Sequence, residues 1–133
     1  MKRYLLNTYT LIWYIDDDKR IKQIKEDIEY YQGNFAVSVE SLKELVYLVQ
    51  SEKIKLDIDF EKLMKLLQKG SISILPFENH ELQCLFKLPF FRENSDPTDR
   101  HIIATAIANN RMLISGDSRF PIYAKAGLHY MKI

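Results

Sequence analysis

Ser95-Asp96-Pro97-Thr98-Asp99-Arg100-His101, running into Ile102-Ile103-Ala104-Thr105-Ala106, is the stretch on which the fold turns. Asp96 suits an N-cap, because its side-chain oxygen can accept a backbone N–H from the first helical turn. Pro97 suits the first helical position, where its missing N–H costs no hydrogen bond. Asp99 then falls in the first turn, where the helix dipole favours negative charge. The stretch predicts a largely apolar helix with two carboxylates and an arginine at its mouth. Taken alone, Asp96 and Asp99 need do no more than start that helix.

Two further segments put polar groups at comparable places. Arg111-Met112-Leu113-Ile114-Ser115-Gly116-Asp117 reads as a short apolar strand ending on a small-residue turn and a carboxylate. Lys2-Arg3-Tyr4-Leu5-Leu6-Asn7-Thr8 has the same form, with an amide where a carboxylate would be expected. In open parallel sheets ligands sit outside the carboxyl ends of the strands, so polar residues at strand ends converge on one crevice. Asn7, Asp99 and Asp117 are therefore candidates for a single site.

Elsewhere the chain alternates β-like and helical runs, without linker or repeat. Strands are expected at Tyr4–Leu6, Phe35–Val37, Ile72–Leu75, around Leu113 and near His129–Ile133. Helices are expected at Thr10–Ile15, with the only tryptophan, Trp13, and at Lys19–Gln32, with Ile21, Ile24, Ile28 and Tyr31 on one face and Gly33 closing it. A helix from Val39 to Ser51 carries Leu42, Leu45, Val46 and Val49 at core spacing. Phe60, Leu63, Met64 and Leu67 repeat the pattern before Gly70, and Asn79 is placed to cap a helix through Phe86. Met64, Met112 and Met131 read as core. Strands alternating with helices argue for an α/β domain with a mainly parallel sheet.

The 133 residues suit one domain spanning 1–133, with its own core. No apolar run approaches the ~20 residues of a membrane span. A strand beginning at Tyr4 leaves no room for a signal peptide, so a cytoplasmic location is expected. Cys84 is the only cysteine, which excludes an intramolecular disulfide, and it reads as a buried filler. The net charge of +1 lacks the basic footprint of a dedicated nucleic-acid binder. Asp16-Asp17-Asp18 reads as a solvated loop or helix start rather than a metal site.

Glu44 has two readings. Ser41-x-x-Glu44 fits a capping box. Ser38, directly after a strand, can equally serve as N-cap, and Glu44 then lies on the second turn, about 200° from Leu42. In that position it is a reasonable acid for a metal site.

Taken in order, Tyr4-Leu5-Leu6-Asn7-Thr8 with Leu11 and Trp13, Ser38 through Glu44-Leu45, Asp96-Pro97-Thr98-Asp99-Arg100 and Leu113-Ile114-Ser115-Gly116-Asp117 resemble the PIN-domain ribonucleases, in particular the VapC-type toxins of bacterial toxin–antitoxin modules. The resemblance spans essentially the whole chain. It implies a three-layer α/β domain, with a mainly parallel sheet flanked by helices. It also implies metal-dependent endoribonuclease activity with Mg²⁺ or Mn²⁺, RNA as substrate, a VapB-like antitoxin as partner and a homodimer. On this resemblance Asn7, Glu44, Asp99 and Asp117 fall at the catalytic, metal-binding positions. Ser115 falls at a small hydroxyl position beside the last of them, and Asp96 and Arg100 are further site candidates.

The residue types suit that chemistry. Mg²⁺ prefers oxygen ligands, keeps several waters and is held through a few carboxylates plus substrate phosphate. Such an ion can activate a bound water and stabilise charge on phosphoryl oxygens during in-line displacement. No histidine or cysteine cluster offers a zinc alternative. His101 points about 100° from Arg100 on a helix and suits packing or solvent. For Arg100, pairing with an acid is preferred to contact with phosphate.

The departure is at the first acid. The resemblance calls for aspartate at position 7, with histidine or asparagine two residues on; here Asn7 is followed by Thr8 and Tyr9. An amide brings no charge, so metal affinity should fall. Engineered inactivation and natural degeneracy both account for Asn7. A non-catalytic protein that keeps the fold to hold an antitoxin-like peptide or RNA is the competing function. A receiver-like signalling domain would need paired acids after the first strand, and Asn7 has no acidic neighbour.

Overall fold

In the computed structural model, which describes residues 2–133, the sheet has five strands: β1 (Tyr4–Leu6), β2 (Phe35–Ser38), β3 (Ser73–Leu75), β4 (Met112–Ser115) and β5 (Tyr130–Lys132). All neighbouring pairs are parallel, in the order β3-β2-β1-β4-β5. The order reverses at β1, so a crevice opens beyond the carboxyl ends of β1 and β4. Asn7 follows the first of these strands and Ser115 ends the second, with Leu6 in register with Ile114.

The helices are α1 (Thr8–Ile15), α2 (Lys22–Tyr30), α3 (Val39–Gln50), α4 (Phe60–Lys69), α5 (Asn79–Lys87) and α6 (Pro97–Ala108), with short 3₁₀ turns at Lys19–Ile21, Arg92–Asn94 and Phe120–Ala126. Successive strand residues point to opposite sheet faces, which gives the domain two cores. Leu6, Val37 and Ile114 pack with Leu11, Ile28, Leu45 and Leu63 of α1 to α4. Leu5, Ala36 and Leu113 pack with Ile102, Ile103, Phe120 and Tyr123 on the other face. The result is the three-layer α/β architecture implied by the sequence. Among the described residues no helix is long and apolar enough to cross a membrane.

Several local expectations change. The first helix starts at Thr8 rather than Thr10, because Asn7 accepts from the Thr10 N–H and caps it. The single helix expected over Lys19–Gln32 is a 3₁₀ turn followed by α2. Asp18 caps that turn and Asp17 pairs with Lys25, consistent with a helix start rather than a metal site. Tyr31, Val46 and Phe60 lie exposed, not in the core. The helical period brings them near the apolar face, but among the described residues nothing covers them. Glu78, not Asn79, caps α5, forming a reciprocal capping box with Glu81. Cys84 is only half-buried. Ser38 caps α3, so Glu44 stands free of capping duty on the second turn.

Candidate active site

Asn7, Glu44, Asp96, Asp99, Ser115 and Asp117 line one crevice of about 370 Å³, together with Thr8, Tyr9, Trp13, Gly116 and Arg119. The acids come from separate parts of the chain. Glu44 comes from α3 and Asp99 from the first turn of α6. Asp96 caps α6 by accepting from the Asp99 N–H at 2.9 Å. Asp117 follows β4 through a turn at Gly116. A Cβ on that glycine would stand 2.8 Å from the Trp13 ring, so only glycine lets the turn lie against it.

Asn7 is 6% exposed, and its side-chain amide is hydrogen-bonded at both ends. Its Oδ1 accepts from the Thr10 N–H at 3.0 Å and the Thr10 hydroxyl at 2.7 Å. Its Nδ2 donates to Ser115 Oγ at 2.8 Å. Ser115 Oγ also accepts from the Asp117 N–H at 3.0 Å, so one hydroxyl ties the ends of β1 and β4 together. The single Thr10 hydroxyl hydrogen is shared between Asn7 Oδ1 and the Ile114 carbonyl, 3.0 Å from Thr10 Oγ1, and the other end of the amide offers hydrogens rather than a ligand.

The electrostatics are those of crowded acids. The Asp99 carboxyl is pushed up to about 7, first by burial, then by the charges of Asp96 and Glu44. The helix dipole expected to favour its ionisation, worth about 0.3–1 kcal/mol, is outweighed. Asp117 is held below its ordinary value, chiefly by side-chain hydrogen bonds from Arg119. The Arg119 Nη2 is 2.6 Å from Asp117 Oδ2 and 3.7 Å from Asp99 Oδ2, so the crevice carries its own cation between two acids.

Arg119 is absent from the sequence candidates, although a signal for it exists. Asp18-Lys19-Arg20 makes the same Asp-x-Arg clamp, with the arginine's backbone and side chain both donating to the aspartate. Arg100 stays outside the crevice and meets no acid. It donates instead to the Pro89 carbonyl at 2.8 Å and Tyr123 Oη at 3.2 Å, fixing the segment before α6. His101 packs beside Phe77, as suits a packing role.

The donor chemistry fits a hard divalent cation in part. Glu44, Asp96, Asp99 and Asp117 offer carboxylate oxygens, and the charges of Asp96 and Glu44 add to the burial that chiefly raises Asp99, with Arg119 opposing them. The buried Thr8 hydroxyl has no hydrogen-bond partner among the described residues. Against the fit stand Asn7, whose oxygen is already taken up in capping α1, and Arg119, which occupies Asp117. Among the described residues no three acids, histidines or cysteines stand in ready-made ligand geometry. Loading an ion therefore requires the side chains to close and Arg119 to yield.

Comparison with solved structures finds the same fold. The chain is 19% identical to a chain of VapBC2 from Rickettsia felis bound to a promoter DNA fragment, with TM-score 0.66 and 97% of each chain covered. It is also 19% identical to a chain of DNA-bound VapBC from Salmonella typhimurium, with TM-score 0.68, covering 99% of this chain and 98% of that one. A toxin–antitoxin complex from Klebsiella pneumoniae matches at 17% identity and TM-score 0.57, over 86% of this chain and 87% of that one. No curated protein matches the sequence. The family model of the PIN domain matches residues 4–126, nearly the whole chain, and the protein belongs to the PIN domain family.

Proposed function

We propose that the protein is a VapC-like toxin, a Mg²⁺- or Mn²⁺-dependent endoribonuclease attenuated by Asn7 and acting on RNA in the cytoplasm. The observation that carries this reading is the convergence of Glu44, Asp99 and Asp117 on one crevice at the sheet's switch point. These three would hold the ion, with Asn7 at the fourth position. When bound, the ion would supply an activated water and charge stabilisation at the scissile phosphate. Asp96 fixes the start of α6 and so the placement of Asp99. Ser115 sets the spacing between Asn7 and Asp117.

A VapB-like antitoxin is the proposed partner, and the solved relatives named above support it by their complexes with such proteins. An apolar groove of about 270 Å³ between α3 and α4, lined by Leu45, Val46, Val49, Ile58, Phe60 and Leu63, would take a helix of the antitoxin. An arginine of the same partner would match the acids, since its planar fork suits carboxylates. A homodimer is proposed through an apolar ridge on α5, where Leu82 and Phe86 stand four residues apart and exposed, Phe86 at 85%. Phe86→Glu is expected to convert the dimer to monomer in sedimentation; an unchanged mass would remove this ridge from the interface.

A second reading, a non-catalytic PIN-fold protein that binds an antitoxin-like peptide or RNA, is favoured by the uncharged Asn7, whose oxygen serves to cap α1, and by the Arg119–Asp117 pair. Calorimetric titration with Mn²⁺ separates the two. The nuclease reading expects weak binding that is lost in Asp117→Asn, along with EDTA-sensitive cleavage. Absence of any metal response, with antitoxin binding intact, would favour the second.

A further inference from the structure

We propose that Tyr9, with Trp13 one helical turn on in the same crevice, is a stacking shelf for an unpaired nucleobase next to the scissile phosphate, a reading that rests on RNA being the substrate. Tyr9 is the second residue of α1, lines the crevice beside Asn7 and is 46% exposed. Several aromatic rings are paired, as where Tyr4 stacks on Phe35 and Phe91 meets Tyr123 edge-on. Among the described residues, the Tyr9 ring has no aromatic partner.

Trp13, one helical turn further on, lines the same crevice and is held from two sides. The Arg20 guanidinium lies 4.3 Å from its ring centroid. The bare Gly116 backbone lets its edge approach to where a Cβ would stand 2.8 Å away. A fixed ring beside an unpaired one, at i and i+4 on one helix, makes a shelf along the rim.

The charge of the crevice explains why a shelf would be needed. The acids lining the crevice outnumber its one arginine, so the field there repels a phosphate chain, and the whole protein has a net charge of only +1. Phosphate contacts therefore supply little of the affinity for RNA, unlike the usual electrostatic mode. Stacking does not depend on charge, and every base has a face to offer. A base already stacked in a duplex has no face free for Tyr9, so the shelf selects loops, bulges or single strands.

Trp13 is the only tryptophan, and its fluorescence reports on the crevice. Short single-stranded oligoribonucleotides are titrated against the full chain in Mg²⁺, with binding read by Trp13 quenching and by anisotropy of a labelled strand. Tyr9→Ala should weaken binding roughly 5- to 150-fold, whereas Tyr9→Phe should stay within about twofold. Scanning one abasic nucleotide along the strand should find a position that weakens binding to the native chain and has no further effect on Tyr9→Ala. Equal binding by the native chain and Tyr9→Ala, with no sensitive abasic position, overturns the shelf and leaves the nuclease reading standing. A native chain that binds Mn²⁺ but no RNA overturns both. Melting curves of Tyr9→Ala confirm folding, which an exposed side chain should not disturb.

Discussion

Asp99→Asn is expected to stabilise the metal-free protein above neutral pH while removing its response to divalent ions. The Asp99 carboxyl is pushed up to about 7 by burial and by Asp96 and Glu44, against an ordinary value of 3.8. A carboxyl whose pKa is raised on folding contributes stability that is fully present below about 4 and lost as pH rises through about 7. That difference corresponds to an upper bound of about 4 kcal/mol between pH 4 and pH 8. Asp117 has the opposite sign. Its lowered value means its contribution is present above the ordinary carboxylate range and lost as pH falls below it. The native chain should therefore melt highest near pH 5 and lower at pH 8. Asp99→Asn should flatten the alkaline side and raise the midpoint at pH 8 by about 5–10 °C. Adding Mn²⁺ should reverse the ranking, because the ion stabilises the native carboxylate and not the amide. A lower midpoint for Asp99→Asn at pH 8 without metal would mean that the acids are not crowded as described.

Asn7→Asp carries the second large effect. One oxygen of the new carboxylate can keep the cap to Thr10, and the other replaces Nδ2 opposite Ser115. The Ser115 hydroxyl would then donate to that carboxylate oxygen instead of accepting from an amide, while still accepting from the Asp117 N–H. No backbone has to move, so the change amounts to one added charge. At an effective dielectric near 20, a unit charge pair at 4 Å is worth about 4 kcal/mol. Even a third of that raises metal affinity about tenfold. The metal-free variant should in turn be less stable than the native chain at pH 8, since a further acid joins the cluster. Calorimetry and melting curves check both halves. Unchanged Mn²⁺ affinity would place the ion away from position 7.

Much of this is legible in the residues. The sheet can be read because short apolar runs end on polar turns at Asn7 and Asp117, and because Asp96-Pro97 marks a helix start without tertiary information. Glu44 can be placed once Ser38 is recognised as the better cap. Side-chain partners are less accessible. Sequence alone pairs Arg100 with an acid, yet it reaches the Leu88 and Pro89 carbonyls, because the path of the segment before α6 brings them within its reach. Val46 and Phe60 follow the helical period but face a groove that the domain leaves open. Periodicity reports that a face is apolar, not what covers it. The anchoring of Asn7 at both ends of its amide depends on Thr10 and Ser115 meeting across β1 and β4, and the burial behind the raised Asp99 depends on several elements packing together. Neither follows from spacing along the chain.

Cleavage by Asn7→Asp tests the central claim most directly, namely that this crevice is a nuclease site short of one charge. The variant is incubated with a broad RNA panel, including several tRNAs, in Mg²⁺ or Mn²⁺ and with EDTA controls. The expected result is EDTA-sensitive cleavage at least about tenfold faster than by the native chain, a change of only ~1.4 kcal/mol in the barrier. Adding Asp99→Asn or Asp117→Asn in the same background should abolish it. A variant that binds Mn²⁺ tightly yet cuts none of the panel would contradict the nuclease account.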